Sequence, residues 1–370
     1  MLLFLGAGAS RIFGIPTMSE FIDIFTKDDE IKSNDMFNDI KNSFPDDFFD
    51  LEVLMTVLDD ITREAGNLYQ IISPHTTKFL MGKEKKEMQR YLEDESIKKV
   101  AQELLARLKK MIRERCIQAV RDKNKLIVVY DKFFGAISRA HDRRRVDNYS
   151  SGDKKIRYPG GLKIFTTNYD TCVETYLNQR QIHFSEGITR RFGNDVFDIE
   201  TYPDRPDVVG LYKLHGSIDL FERSGDINQF QVFLPDGKVT SLGEDVGSEF
   251  LVYPVEGSTR YALRSPFLDL LHAFRKKLVA EKLWVVVGSS FRDHTICSIM
   301  NDVLRSKEEA DYPKIALIDL KPEIVLKNIG RGNFGKLKEV ISTQLLTSGE
   351  FGVEKIFQEL EVWLTEALIR

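Results

Sequence analysis

The feature that most restricts this chain is a series of short apolar runs, each closed by small or polar residues and separated from the next by helical sequence. They read "LLFL", "LKIFT", "GLYKLHG", "LWVVVG" and "KIALIDL". Runs this short and this apolar predict buried strands. Between them, helical stretches are expected from Asp170 to Gln179, Pro266 to Glu281 and Arg292 to Lys307. Strands that alternate with helices make a parallel sheet, because a parallel neighbour can be reached only by a crossover. The expected class is therefore α/β, a mostly parallel sheet with helices on both faces.

Two regions interrupt the alternation. "TMSE" places Thr17 and Glu20 at capping-box spacing ahead of a short helix over Phe21, Ile24 and Phe25. From about Phe49 to Ala140 the apolar residues recur at helical spacing, with Leu51, Leu54, Met55, Leu58 and Ile61 in one run and Val100, Leu104, Leu108 and Met111 in another. "HDRRRVDNYSSGDKKIRYPGG" then breaks all periodicity, as an exposed loop does, and marks re-entry into the sheet. The expected division is a discontinuous sheet domain, residues 1–30 and 158–370, around a helical insertion or assembly subdomain, residues 31–157. A β-rich excursion is expected from Ser217 to Thr259, where "FQVFLPDGKVT" carries an Asp236-Gly237 turn.

Composition excludes several classes. With 42% hydrophobic and 30% charged residues, the 370-residue chain has material for one large core or two modest ones. A net charge of −4 and an isoelectric point near 6.0 give no general attraction to nucleic acid or anionic membrane, and no direct nucleic-acid binding is expected. Cys116, Cys172 and Cys297 are far apart, which argues against a disulfide framework and a zinc ribbon. The histidines show no metal spacing, so no metal site is expected. The leading apolar run is short and lacks a basic leader, and no later run reaches spanning length. A cytoplasmic, membrane-free setting follows as the expectation.

In a doubly wound sheet, ligands bind outside the carboxyl ends of the strands, so the residues after each run matter most. Gly6, Ala7, Gly8, Ala9 and Ser10 form a glycine-rich turn of the kind that cradles phosphate, although Arg11 stands where a dinucleotide fingerprint has its third glycine. "TTNYD" supplies Thr167, Asn168 and Asp170, "HGS" supplies His215, and "GSSFRD" opens on Gly288, Ser289 and Ser290. Asp319 closes a late strand, where ribose hydroxyls are held. The set suits a dinucleotide across the switch point with a base beside it. Asn168 and Asp170 also read as an Asx turn capping the next helix, and Arg292 and Asp293 as an ion pair or a helix opening.

The ordered series "GAGAS…GIPT", "TTNYD", "LHGS" and "GSSFRD" resembles the sirtuin superfamily, and within it the bacterial and archaeal NAD-hydrolysing branch associated with phage defence. The resemblance covers roughly Met1 to Met18 and Gly160 to Leu320 and implies a Rossmann-like core. It implies NAD as substrate, with Gly6 to Ser10 on the pyrophosphate and Asn168 and Asp170 at the nicotinamide ribose and carboxamide. His215 is then the catalytic base, Gly288 and Ser289 lie nearer the adenine, and Asp319 is a candidate at the adenosine ribose. Implied partners are further copies of the chain, a HerA-like hexameric ATPase or an Argonaute-type protein. Deacylating sirtuins carry a four-cysteine zinc module after the histidine, and Ser217 to Thr259 contains no cysteine. Thr167 also stands where deacylases usually have glutamine. The implied activity is thus NAD glycohydrolysis, and the rivals are an NAD-dependent deacylase and a non-enzymatic NAD or ADP-ribose sensor.

Overall fold

The computed structural model describes residues 1–45, 48–62, 73–119, 122–142, 162–191, 194–202, 208–223, 229–232, 246–253, 265–342 and 345–369. Strands β1 (Leu2–Leu5), β2 (Lys163–Thr166), β3 (Phe184–Ser185), β6 (Val209–Lys213), β10 (Leu283–Val287), β11 (Lys314–Asp319) and β12 (Leu345–Ser348) form one sheet. Its order is β12-β11-β10-β1-β2-β6-β3, and every pairing is parallel. The second sheet is antiparallel, with β4 (Ile188–Arg191), β5 (Asn194–Phe197), β7 (Gly216–Arg223), β8 (Gln229–Val232) and β9 (Val246–Leu251) in the order β4-β5-β8-β7-β9. The α/β expectation holds, and each strand-like run is a strand of the parallel sheet. The Asp236-Gly237 turn and most of the basic loop lie outside the described residues.

The chain divides into two compact units. Met1–Ile15, Ile117–Leu251 and Arg264–Arg370 hold both sheets, whereas Pro16–Cys116 with Val252–Leu263 form the other unit. These borders differ from the change of character read in the sequence near residues 30 and 157. In the sheet unit, α1 (Ala7–Ser10) follows β1 directly. In the helical unit, α2 (Met18–Phe25) carries the expected capping box, with the Thr17 amide donating to Glu20 at 2.8 Å. It is followed by α3 (Asp29–Lys32), α4 (Asp35–Asn42), α5 (Leu51–Thr62), α6 (Pro74–Met81), α7 (Lys85–Glu93) and most of α8 (Glu95–Ala119). The core of that unit takes Leu51, Leu54, Met55, Leu58 and Ile61 from α5 and Leu104, Leu108 and Ile112 from α8.

The next helix, α9 (Lys123–Asp142), belongs with the sheet unit. Phe134 stacks on Tyr176 of α10 (Cys172–Gln179) at 5.3 Å, and Arg139 pairs with Glu361 at 2.8 Å. The remaining helices are α11 (Phe267–Ala280), α12 (His294–Arg305), α13 (Pro322–Arg331), α14 (Gly335–Ser342) and α15 (Glu354–Ile369). Among the described residues, no helix is long and apolar enough to cross a membrane.

Register places the site. Leu5 lies level with Val287 on one side and Thr166 on the other, Thr166 is level with Lys213, and Val287 with Ile318. Because these parallel strands end in step, Gly6, Thr167, Leu214, Gly288 and Asp319 all leave the sheet at the same carboxyl edge.

Candidate functional site

The glycine turn is built by backbone contact between two strand ends. Gly6 N–H donates to Val287 O and Gly8 N–H to Gly288 O, each at 2.8 Å, and Ala9 N–H to Gly6 O at 2.9 Å. A Cβ on Gly6 would lie 2.6 Å from Gly288 O, and one on Gly8 2.7 Å from Gly288 Cα. Gly288 itself has φ +62. These glycines therefore interlock the turns after β1 and β10. The amides of Gly6, Gly8 and Ala9 thus have partners within the protein. Ala7 and Gly8 are partly exposed, while Gly6, Ala9 and Ser10 are buried.

Asn168 ties β2 to that turn. Its Nδ2 donates to Gly6 O at 3.0 Å and to Ser10 Oγ at 2.9 Å, and its amide donates to Thr166 Oγ1 at 3.0 Å. Thr167 N–H reaches Leu5 O at 3.3 Å. The Asx reading thus falls to Asp170 alone, whose Oδ1 accepts the Cys172 amide at 3.0 Å and opens α10. Asp170 is buried, and its carbonyl accepts from Lys213 Nζ. Beside it, Thr171 Oγ1 is the buried polar side-chain atom without a hydrogen-bond partner among the described residues.

His215 sits on the link between the two sheets, after β6 and before Gly216, whose φ of +81 makes the turn into β7. Its Nε2 lies 2.9 Å from Asp293 Oδ2. Asp293 in turn caps α12, with Oδ1 accepting the Ile296 amide at 3.0 Å. Burial raises the Asp293 pKa, but His215 and the amides of Ile296 and Thr295 outweigh it and hold the carboxyl below its usual range. Strands β10 and β6 are separated by β1 and β2, about 14 Å at ordinary strand spacing, so this contact bridges the carboxyl edge. Phe291, two residues before Asp293, has φ +52, an uncommon backbone for a bulky residue, and its ring is buried.

The other expected residues lie further along the edge. Ser289 is buried and its Oγ accepts the Phe291 amide at 3.4 Å, whereas Ser290 is exposed and its carbonyl accepts from Asn328. Asp319 accepts the Lys321 amide at 2.9 Å, and burial, with Glu323 nearby, pushes its carboxyl above the usual range. Asp293 is a functional candidate that the sequence reads first as a helix opening or an ion pair with its neighbour, with a direct role for it or Arg292 as the alternative. Its position one residue ahead of α12 was the available signal; its partner, 78 positions away in a different loop, was not readable. Among the described residues, no group of three or more His, Cys, Asp or Glu is placed to hold a metal ion.

Comparison with known proteins adds a family. A search of curated proteins by sequence finds no match. A solved structure described as a mutant Sir2 homologue in complex with ADP-ribose aligns with 100% of this chain and 92% of its own, at 13% identity and a TM-score of 0.37. The family model described as "SIR2-like domain" matches residues 162–331. That stretch contains Thr167, Asn168, Asp170, His215, Gly288 and Asp319, and the Gly6 to Ser10 turn lies outside it. Residues 162–331 are thus similar to a SIR2-like domain, the same superfamily that the sequence motifs resemble.

Proposed function

We propose that the chain is an NAD glycohydrolase that breaks the bond between nicotinamide and ribose. The observation that carries this reading is the His215–Asp293 pair, 2.9 Å apart at the carboxyl edge of the parallel sheet, beside the turn that Asn168 locks. A histidine held by a hydrogen-bonded carboxylate is oriented to take a proton. The nicotinamide of NAD is cationic, so its nitrogen leaves with the bonding electrons as a neutral ring and needs no strong general acid. Charge develops on the ribose instead, as in glycoside hydrolysis. Water attacks the anomeric carbon as the ring departs, and His215 takes the proton released from that water or from a ribose hydroxyl. Cyclised ADP-ribose forms where an internal nucleophile outruns water.

The residues present fit such a substrate. Ser10 Oγ accepts from Asn168 and so keeps its own O–H to donate to a phosphate or ribose oxygen. The unpartnered Thr171 hydroxyl lies in the same loop as Asn168 and Asp170, where a ribose or carboxamide would satisfy it. Asn168 has a further role under this reading: it sets the distance between the glycine turn and the β2 end. An enzyme that empties an NAD pool must be restrained, so activity is gated by self-assembly or by a separate partner, and phage defence is the setting that fits.

The test is nicotinamide release from NAD by the purified chain over a wide concentration range, beside His215→Ala. Release that disappears in the variant while NAD binding persists is the expected result. Tight NAD binding with no release at any concentration, alone or with candidate partners, would replace the enzyme by a sensor, and release only with acyl-lysine peptide would replace it by a deacylase.

A further inference from the structure

The two nitrogens of His215 are not equivalent in this structure. Nε2 lies 2.9 Å from Asp293 Oδ2, while Asp293 Oδ1 accepts the Ile296 amide at 3.0 Å. The Asp293 carboxyl is held below its usual range, against the effect of burial, by His215 and the amides of Ile296 and Thr295, so it is ionised at neutral pH. An ionised carboxylate only accepts, and the proton in the contact with His215 is therefore carried by Nε2. A neutral imidazole has one N–H, which leaves its basic lone pair on Nδ1.

The carboxylate is fixed without help from the histidine. Asp293 O accepts the Cys297 amide at 3.0 Å in the first turn of α12. Two residues earlier, Phe291 is held on both sides: its amide donates to Ser289 Oγ at 3.4 Å, its carbonyl accepts from Cys297 Sγ at 3.4 Å, and its ring is buried. His215 is anchored from another strand end. The Leu214 amide donates to Thr166 O at 2.8 Å and the Ile218 amide to Tyr169 O at 3.0 Å, which ties the backbone on either side of His215 to the end of β2. With its backbone on one strand end and Nε2 clamped beyond another, the ring is held in a single orientation.

We infer that Asp293 is a positioning residue that selects the Nε2–H tautomer of His215, and that Nδ1 is the atom that takes the proton during nicotinamide release. The second half of this inference rests on the reading of the chain as an NAD glycohydrolase. As the bond between the anomeric carbon and the nicotinamide nitrogen breaks, its electron pair leaves with the ring. The water oxygen bonds to the anomeric carbon, and one proton of that water passes to Nδ1, directly or through a ribose hydroxyl. The imidazolium so formed carries N–H on both nitrogens, and its bond from Nε2 to Asp293 joins two opposite charges. The proton then passes from Nδ1 to solvent and the base is restored. Asparagine at position 293 reverses the tautomer. Its Oδ1 is required by the Ile296 amide, which turns its amino group toward His215. Nε2 then has to accept, and the ring proton moves to Nδ1. Serine at 293 keeps the cap but is too short to reach the ring, so neither tautomer is selected.

The experiment is ¹⁵N NMR of the full chain labelled at its 6 histidines, with the His215 signals identified by their loss in His215→Ala and followed to the alkaline end of their titration. Nicotinamide release from NAD is measured beside it. The parent should show a pyrrole-like Nε2 and a pyridine-like Nδ1, Asp293→Asn the reverse, and Asp293→Ser an average of the two. Release should fall about 10²- to 10⁴-fold in Asp293→Asn and by less in Asp293→Ser, an order opposite to the one that loss of side-chain shape alone would give. A parent with its proton on Nδ1, unchanged signals in Asp293→Asn, or release in that variant equal to the parent's would each overturn the inference. A parent with the expected signals that releases no nicotinamide, alone or with candidate partners, would refute the glycohydrolase reading and the base role with it, while the selection of the tautomer stands on the spectra.

Discussion

Gly288→Ala offers a direct test of how the candidate site is built, because its cost separates into two parts that a control can divide. Gly288 and Gly14 both have positive φ, +62 and +89. An alanine at either position carries about 1 kcal/mol of left-handed backbone penalty. At Gly14 nothing lies within 4 Å of the added Cβ, so that penalty is the whole cost. At Gly288 the Cβ would come within 2.2 Å of Ala9 N, 2.4 Å of Gly8 C and 2.6 Å of Gly8 Cα. Ordinary carbon contacts begin near about 3.5 Å, so the two turns have to part by about 1 Å. Parting them gives up the Gly8 N–H to Gly288 O bond and strains the Gly6 N–H to Val287 O bond, each worth about 1 kcal/mol. With lost packing, Gly288→Ala should cost roughly 3 kcal/mol or more, against about 1 kcal/mol for Gly14→Ala. Urea unfolding of both variants beside the parent chain measures the difference. Equal losses at the two positions would refute the interlocked-turn account and return Gly288 to a purely conformational role.

Other outcomes follow from the same contacts. Lys213→Met leaves Glu174 buried without its cation and should destabilise the sheet unit by roughly 3 kcal/mol, whereas Lys213→Met with Glu174→Leu should recover much of the loss; thermal unfolding of the single and double variants decides it. Asp293→Asn keeps a competent helix cap but removes the anion facing His215. Since the folded-state pKa of Asp293 lies below its ordinary value near 3.8, the stability it adds is full above about pH 4 and is lost as pH falls through the depressed value. The gap in unfolding midpoint between parent and Asp293→Asn should accordingly be present at pH 5 and close in stronger acid. A gap that widens with acid would contradict the ion pair.

Much of this molecule is written locally. Runs such as "LLFL" and "LWVVVG" have no polar face, and residues of that kind can only be interior strands of a sheet covered on both sides; the helical stretches between them then require parallel pairing. The polar residues after each run were legible for the same reason, since a strand end in such a sheet is where the chain meets solvent. The capping box at Thr17 and the helical period through α5 and α8 are likewise short-range signals. Each depends on neighbours within a few residues.

What lay beyond sequence reading depends on which distant segments meet. The period of α9 matches that of the helices before it, so only the stacking of Phe134 on Tyr176 and the pairing of Arg139 with Glu361 assign it to the sheet unit. Nothing in "GAGAS" by itself says that Gly6 and Gly8 pack against Gly288 or that three amides of their turn find protein partners. Asn168 and Asp170 look alike in "TTNYD", and tertiary contacts gave one the glycine turn and the other the helix cap. Sequence thus determined the sheet, the order of its strands along the chain and the edge at which polar residues gather, because burial and periodicity act locally. The tertiary structure alone decided that His215 meets Asp293 and that Glu174 meets Lys213, because charge pairing across a low-dielectric interior is set by distance in space.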